Sequence, residues 1–180
     1  MQKNKIVQFV CFETRIDTEQ FIMEWEQYTR SVNSNSDVTL QQSEKNGVFR
    51  YIAQHRSETG EFQFIFTKAR RSSRTPEVEI RVKQAGGYSI LQVERMNDTY
   101  ADESKIFAFI TDTQADLNVY RQSPSHSKLN IYEAYYENCQ YAYILEFFVK
   151  NKYVSELLDQ LKQYHAVESG IYKECSLQVS

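Results

Sequence analysis

The feature that most constrains this fold is a strand-helix-strand pattern that occurs twice, once near each end of the chain. Residues 7–32 and 140–165 each contain a β-rich apolar run, a short polar turn and an amphipathic stretch, at an offset of 133. A strand-like run follows each of them, at 37–43 and 170–177. Such units place a helix on one face of a sheet. The pattern therefore predicts an α+β fold, a curved antiparallel sheet with two main helices.

The two helices are predicted from the spacing of apolar residues. Phe21, Trp25 and Tyr28 follow one another at intervals of four and three, which gives one apolar stripe on a helix. Asp17 precedes this stripe, and Gln20 lies three positions after Asp17. This spacing is typical of a helix N-terminus. The second helix is predicted over residues 152–165. Its apolar stripe consists of Val154, Leu157, Leu158, Leu161 and, at its end, His165.

The segment between the two units has the alternation and turn residues of antiparallel strands. Lys45-Asn46-Gly47 is a strong hairpin signal because Asn and Gly accept the backbone angles of tight turns. Gly86-Gly87 predicts a second tight turn. The five strands predicted here cover residues 38–44, 48–54, 62–67, 78–82 and 90–94.

Residues 97–127 fit a helix or a strand, and the aromatic and β-branched content of residues 105–111 favours a strand. A hairpin is predicted from Leu129–Tyr136 and Tyr141–Val149, followed after the second helix by a last strand, Ile171–Val179. We expect one compact domain, 1–180, composed of two pseudo-equivalent halves of about 1–96 and 97–180. A chain of 180 residues can bury the core of such a domain.

Charge and composition exclude several classes of function. The net charge is −3, so electrostatics give no drive toward nucleic acid, and no stretch approaches the roughly 20 apolar residues that span a bilayer. The N-terminal MQKNKIVQFVCF lacks the apolar core and cleavage site of a signal peptide. Three cysteines without paired spacing fit a reducing compartment. We expect a cytoplasmic protein that binds neither nucleic acid nor membrane.

No motif in the chain specifies a chemistry. The Gly-rich phosphate loops, the HExxH zinc pattern and the GxSxG nucleophile pattern are absent from the sequence. The three histidines, His55, His126 and His165, share no ligand spacing. The basic cluster at residues 68–74 is typical of a solvated loop. We therefore expect neither a metal nor a cofactor.

Two glutamates are the candidates for chemistry. Glu146 interrupts a strand that is apolar on both faces, and a carboxylate in such surroundings must be paired, hydrogen-bonded or protonated. Glu13 occupies the corresponding position at the offset of 133, so a pseudo-twofold axis would let both glutamates line one cavity. The catalytic candidates are therefore these two glutamates, Glu146 and Glu13. His55 is a third catalytic candidate. The structural alternative is pairing with Arg15, Arg50 or Arg81.

The two helical segments, FIMEWEQY and YVSELLDQLKQY, each lie between strand-like runs. This arrangement resembles the dimeric α+β barrel superfamily, which includes the antibiotic-biosynthesis-monooxygenase-like proteins. Over roughly 5–45 and 140–178, the resemblance implies two ferredoxin-like units whose sheets join into a barrel, which a tandem chain can supply alone. The chain departs from that family in its long hairpin region and in lacking a clear second helix in each half. No catalytic residue carries over. The order of elements is also similar to helix-grip folds, although the last strand argues against them.

The α+β barrel and the helix-grip fold both imply a curved sheet around an aromatic-lined hollow. Such a hollow is a common small-molecule site. We predict a non-enzymatic domain that binds a small apolar or aromatic ligand or forms a homodimer through a tyrosine-rich sheet. The candidate ligand-binding residues are Glu146, Tyr143, Trp25 and Phe64. One alternative is a cofactor-independent monooxygenase-like enzyme that uses Glu146 or His55 with tyrosines. A further alternative is a structural protein-interaction module.

Overall fold

The structure, a computed structural model, describes residues 6–14, 17–31, 37–45, 47, 49–57, 80–95, 102–122, 126–135, 139–164 and 168–175. Its elements in chain order are β1 (Ile6–Thr14), α1 (Thr18–Ser31), β2 (Asp37–Lys45), β3 (Tyr51–Ser57), β4 (Ile80–Arg95), β5 (Glu103–Ile110), α2 (Asn118–Arg121), β6 (His126–Ala134), β7 (Tyr143–Lys150), α3 (Val154–Gln163) and β8 (Glu168–Glu174). One turn of 3₁₀-helix, Asn151–Tyr153, leads into α3.

The eight strands form a closed antiparallel barrel in the order β1-β3-β2-β8-β5-β7-β6-β4. Closure leaves these strands without a free edge, so the sheet needs no second chain to complete it. The predicted α+β class with a curved antiparallel sheet is confirmed. Within the described residues, no helix is long and apolar enough to cross a bilayer.

The helix predictions are confirmed. The Asp17 carboxylate accepts a hydrogen bond from the Gln20 backbone N–H at 3.1 Å, which caps the start of α1. From α1, Phe21 and Trp25 pack against the outer face of the barrel, where the ring centroid of Phe12 lies 5.4 Å from that of Trp25. The helix predicted over 152–165 is the 3₁₀ turn followed by α3.

The hairpin predictions are partly confirmed. β2 pairs with β3, and β6 pairs with β7, as the turn residues indicate. The segment 97–127 contains strand β5 and then the short helix α2, so both of its predicted conformations occur in sequence. The predicted strand 62–67, the basic cluster 68–74 and His165 lie outside the described residues.

The turn predicted at Gly86-Gly87 is wrong, because β4 runs through both glycines without a break. Gly86 pairs with Phe9 of β1, and a Cβ atom at Gly86 would lie 2.8 Å from the Cys139 sulfur. The glycine therefore serves a close approach to a neighbouring side chain and not a reversal of the chain.

The strand order consists of two runs with the same internal pattern. The first run, β4-β1-β3-β2, comes from residues 6–95, and the second, β8-β5-β7-β6, comes from residues 103–174. If each run is numbered from its own first strand, both read 4-1-3-2, the order of a ferredoxin-like sheet. The boundary predicted near residue 96 falls between the two runs, outside the described residues, and stays a prediction.

The register of the strands repeats residue by residue between the two runs. In the first, Phe9 pairs with Gln54 on one side and with Gly86 on the other. In the second run, Phe107 pairs in the same way with Glu146 on one side and with Gly170 on the other. Thr39 pairs with Gln54, and Asn130 pairs with Glu146 in the same way. Residues 51–54 (YIAQ) and 143–146 (YILE) are therefore counterparts.

Two tyrosines repeat this relationship in their ring contacts. The Tyr88 ring meets Phe9 edge to face, with centroids 5.4 Å apart and an angle of 85° between the planes. The Tyr172 ring meets Phe107 at 5.4 Å and 86°. Because each tyrosine lies two residues after the glycine of its run, these four aromatic residues form two equivalent pairs at the centre of the barrel.

The hydroxyl groups of the same tyrosines connect the two runs. Tyr88 donates a hydrogen bond to the backbone carbonyl of Tyr141 at 3.0 Å, and Tyr172 donates to that of Phe49 at 2.9 Å. Phe49 lies two residues before β3, and Tyr141 lies two residues before β7. A tyrosine of each half therefore hydrogen-bonds to the backbone just before the third strand of the other half, which is β3 in the first half and β7 in the second.

The repeat differs in phase from the one predicted at an offset of 133. That offset compares the first strand-helix-strand unit of one run (β1-α1-β2) with the second unit of the other (β7-α3-β8). In the barrel, the counterpart of β1 is β5, and the counterpart of β7 is β3. Gln54 is therefore the counterpart of Glu146, and the predicted pairing of Glu13 with Glu146 is corrected.

Apolar side chains form two separate cores on the two faces of the sheet. The core inside the barrel contains residues from seven of the strands. The largest of them are Phe9, Phe49, Phe107, Phe109, Tyr88, Tyr132, Tyr141 and Tyr172. The second core lies between the outer face of β5, β6 and β7 and the helices α2 and α3, which contribute Tyr120, Leu157 and Leu161.

Candidate functional site

Glu146 lies at the centre of the barrel and is only 1 % exposed. Successive residues of a strand point to opposite faces of the sheet, and Ile144, two positions earlier on β7, belongs to the interior core. The Glu146 side chain therefore points into the barrel, among aromatic rings. A carboxylate in this position requires partners for both of its oxygens.

Four side chains supply those partners. Glu146 Oε1 accepts hydrogen bonds from Asn130 Nδ2 at 2.6 Å and from the Tyr132 hydroxyl at 3.2 Å. Gln54 Nε2 donates to Oε2 at 3.1 Å, and Lys105 Nζ lies 3.5 Å from the same oxygen. The carboxylate is thus paired with a cation and hydrogen-bonded on both oxygens. The bond from Gln54 crosses the barrel and joins the two repeated halves.

Lys105 connects this buried cluster with the surface. Its side chain is 14 % exposed, and its ammonium lies 5.0 Å from the ring centre of Phe148 and 6.0 Å from that of Phe107. The Lys128 ammonium lies 5.0 Å from the same Phe148 ring. Such cation–π contacts hold the two ammonium groups over the same Phe148 ring, and the Lys105 ammonium lies beside the buried carboxylate.

Tyr132 is held as a neutral hydrogen-bond donor. Burial raises the pKa of Tyr132 well above its ordinary value, and the negative charge of Glu146 raises this pKa further, while the positive charge of Arg56 opposes the shift. Burial in the same interior raises the pKa of Tyr172 in the same direction. Both hydroxyls therefore keep their protons throughout the neutral range.

These shifts predict that the protein loses stability at alkaline pH. The unfolded chain releases the Tyr132 proton near pH ~10, whereas the folded chain retains it, so the free energy of unfolding should fall as pH rises above that value. The slope is about 1.4 kcal/mol per pH unit for each such tyrosine. Urea denaturation from pH 8 to 11 checks this. Tyr132→Phe should make the decline shallower, whereas the control Tyr153→Phe, at an exposed side chain, should leave it unchanged.

Glu13 lies away from the cluster around Glu146. It is half-buried in β1, and its Oε1 accepts a hydrogen bond from the backbone N–H of Arg50 at 3.1 Å. Its negative charge also helps to raise the pKa of Tyr172. Among the described contacts, Glu13 and Glu146 share no hydrogen-bonding partner. The structure therefore does not bring the two glutamates together as one carboxylate pair.

The other predicted site residues lie on the outer face or outside the described part of the chain. His55 is buried but neighbours Gln54 on β3, so it points away from the interior. Trp25 packs on the outside from α1, and Tyr143 donates a hydrogen bond to the Thr113 carbonyl at 3.2 Å. Phe64 lies outside the described residues. Of the candidates that the structure describes, Glu146 alone is in the central cluster.

Sequence reasoning missed the partners of Glu146, although one signal was available. Residues 51–54 and 143–146 share the pattern Tyr-Ile-x-Gln/Glu, which indicates equivalent strands with a polar group at equivalent interior positions. Lys105 carries no comparable signal, because a lysine in a strand is ordinarily a solvated residue.

A second candidate site is a groove on the outside of the barrel. It has a volume of about 870 Å³ and lies between α3 and the outer face of β2, β5 and β8. Its apolar lining consists of Val154, Leu158 and Ile171. Its polar lining consists of Gln42, Ser43, Glu44, Ser104, Asn151, Ser155 and Lys173.

The groove follows from the width of the apolar stripe on α3. Leu157 and Leu161 are fully buried against the sheet, whereas Val154 and Leu158 on the same helix are only half-buried. These two side chains, with Ile171 of β8, leave an apolar surface that the described residues cover incompletely. Lys173 and Glu44 place one charge of each sign at its polar boundary. Within the part of the chain that the structure describes, no three His, Cys, Asp or Glu side chains converge as metal ligands.

Comparison with known proteins identifies the fold class. The chain aligns with a mutant chlorite dismutase from Candidatus Nitrospira defluvii with a TM-score of 0.63 and 10 % sequence identity, covering 98 % of this chain and 94 % of the other. It aligns with a candidate chlorite dismutase at a TM-score of 0.58 and 9 % identity, covering 97 % and 96 %. A candidate monooxygenase from Fusobacterium nucleatum subsp. nucleatum aligns at 0.58 and 12 % identity, covering 98 % and 94 %.

The chain thus has the ferredoxin-like α+β barrel fold of these structures, and the resemblance stated from the sequence is confirmed at the level of the fold. No protein-family model matches the chain. No curated protein matches it either. Identities near 10 % carry the fold and do not carry an activity.

Proposed function

We propose that this protein binds a small amphipathic molecule in the groove between α3 and the barrel, without catalysing a reaction. The observation that carries this proposal is the groove itself, about 870 Å³ with an apolar base and a polar boundary. Ligand sites are typically concave, roughly 300–1,000 Å³, and combine apolar walls with a few polar groups that orient the ligand. The core inside the barrel, in contrast, consists largely of buried aromatic residues.

The lining indicates the chemistry of the ligand. Val154, Leu158 and Ile171 favour an apolar or aromatic body. The Ser155 hydroxyl can donate or accept a hydrogen bond, the Ser104 hydroxyl, which donates to Asn151 Oδ1, can accept one, and Lys173 can pair with an anionic substituent. A flat ring system that carries an acidic group fits both halves of this lining.

The groove makes ligand binding a better-supported interpretation than self-association. The barrel closes within one chain, so a homodimer is not needed to pair its strand edges. Among the exposed aromatic side chains, Tyr135 follows β6, whereas Tyr153 and Tyr164 lie at opposite ends of α3. A dimer or an interaction module would have to use a surface other than the edges of the described strands.

The groove proposal predicts binding of 1-anilinonaphthalene-8-sulfonate, a probe with an aromatic body and a sulfonate. Leu158→Glu places a charge among the apolar residues and should weaken binding at least tenfold, equivalent to about 1.4 kcal/mol. Lys173→Gln should weaken it less, because a partly exposed ion pair contributes about 0.2–1 kcal/mol. The measurement is a fluorescence titration of the full chain.

The matched control is Lys162→Glu, which changes the charge at an exposed position of the same helix that does not line the groove. This variant should bind the probe as the unmodified protein does. Equal affinities for Leu158→Glu and Lys162→Glu would place the probe elsewhere and contradict the groove as the ligand site.

The second candidate function is a monooxygenase-like enzyme. The description of one structural neighbour and the hydrogen bond between Tyr132 and Glu146 support it. Against it stands the burial of Glu146, since an acid–base group must come within hydrogen-bonding reach of its substrate. Oxygen uptake with hydroquinone by the full chain, abolished in Glu146→Gln, would reverse this order of preference.

A further inference from the structure

The two halves of the barrel differ at one interior position in a way that points to a bound molecule. Tyr132 pairs with Ile144 on β7, and its hydroxyl reaches diagonally to Glu146. In the other half, Gln41 pairs with Ile52 on β3, so Gln41 is the counterpart of Tyr132. Gln41 should therefore lie diagonally opposite Gln54, as Tyr132 lies diagonally opposite Glu146.

Gln41 is a polar side chain in the aromatic interior of the barrel. It is 0 % exposed, and neither its amide nitrogen nor its amide oxygen has a hydrogen-bonding partner among the described residues. Its neighbour in register, Ile52, belongs to the interior core, so the Gln41 amide lies on the interior face of β2. Buried amides in folded proteins nearly always have a partner, either protein or ordered water.

The difference in side-chain length explains why a direct contact forms in one half only. A tyrosine is long enough to bring its hydroxyl within 3.2 Å of Glu146. A glutamine at the equivalent position is shorter, and in this structure its amide makes no hydrogen bond to Gln54. Diagonal neighbours on paired strands lie roughly 7–8 Å apart, a separation at which one small hydrogen-bonding molecule can bridge two amides.

The groups around this interval have free hydrogen-bonding capacity. Gln54 uses one of its two amide hydrogens on Glu146, and its oxygen accepts from the Thr39 hydroxyl at 3.1 Å. The Gln41 amide offers one acceptor and two donors. On the opposite side of Glu146, Asn130 Oδ1 is likewise without a partner among the described residues.

We propose that the barrel interior binds a water-sized, neutral donor–acceptor molecule between the amides of Gln41 and Gln54, beside the Glu146 carboxylate. Water satisfies these requirements, because it can accept from an amide hydrogen and donate to the Gln41 oxygen. The site is separate from the outer groove, so it stands or fails independently of the ligand proposed there.

The test is a water–protein nuclear Overhauser experiment on the full chain with labelled side-chain amides. We expect cross-peaks from a long-lived water to the amide hydrogens of both Gln41 and Gln54. Gln41→Met, of similar shape but without hydrogen-bonding groups, should abolish the cross-peak at Gln54. The control Gln42→Met, on the outer face where Gln42 bonds to Thr18, should preserve it.

A Gln54 amide without a water cross-peak in the unmodified protein would overturn the proposal. A cross-peak that persists unchanged in Gln41→Met would overturn it as well. If Gln41→Met does not fold, a crystal structure of the unmodified chain that resolves waters decides the matter by the presence or absence of density between the two amides.

Discussion

Replacing Glu146 with Ala should lower the free energy of unfolding by about 3–5 kcal/mol, the cost of removing one partner from a buried ion pair. The substitution leaves the Lys105 ammonium beside a cavity and leaves the donors of Asn130 and Gln54 without their acceptor. The predicted range already includes the desolvation cost of these unpaired donors, about 1–3 kcal/mol for a single buried donor. Urea denaturation at pH 7 measures the total.

Glu146→Gln keeps the shape and one acceptor oxygen, so it should cost less than the alanine variant. Glu156→Ala, an exposed carboxylate on α3, is the control and should change stability by less than about 0.5 kcal/mol. If Glu146→Ala behaved like Glu156→Ala, the carboxylate would not be the buried centre of the barrel.

Truncating Phe107 to Ala should cost about 3–5 kcal/mol, because the ring is fully buried and its loss leaves a cavity between aromatic neighbours. The Phe107 ring meets Tyr172 at 5.4 Å and Phe9 at 6.4 Å. Phe9 occupies the equivalent position in the other half, so Phe9→Ala should cost nearly the same. Chemical denaturation of both variants makes this comparison.

The matched control for these truncations is Met23→Ala, since Met23 on α1 is 57 % exposed and loses little burial. Its expected effect is within about 0.5 kcal/mol. A large cost for Phe107→Ala together with a negligible cost for Phe9→Ala would contradict the equivalence of the two halves.

The sequence predicted much of the local structure because local signals decide it. The capping of α1 by Asp17 and the pairing of β2 with β3 each depend on a few neighbouring residues. The apolar stripe of α3 predicted that helix for the same reason. Gly86 was misinterpreted because a glycine in a strand and a glycine in a turn look alike in sequence. The Cys139 side chain that requires it lies 53 positions away in the chain.

The candidate site was less predictable, because it depends on contacts between distant strands. Glu146 was identified because it is a lone carboxylate in an apolar run. That prediction did not depend on knowing which residues contact it. Gln54 lies 92 residues from Glu146, and only the closure of the barrel brings the two side chains together. The outer groove depends on how α3 lies on β8, which the apolar stripe alone does not determine.

The most direct test of the contact between the two halves is a double-mutant cycle between Gln54 and Glu146, using Gln54→Met, Glu146→Met and the double variant, because each methionine keeps the approximate side-chain length and removes the hydrogen bond. The bond of 3.1 Å between these equivalent positions joins the two halves of the barrel. We expect a coupling energy of about 1–3 kcal/mol, because the two residues are in contact within one hydrogen-bonded network. Additive effects, with a coupling below about 0.5 kcal/mol, would contradict it.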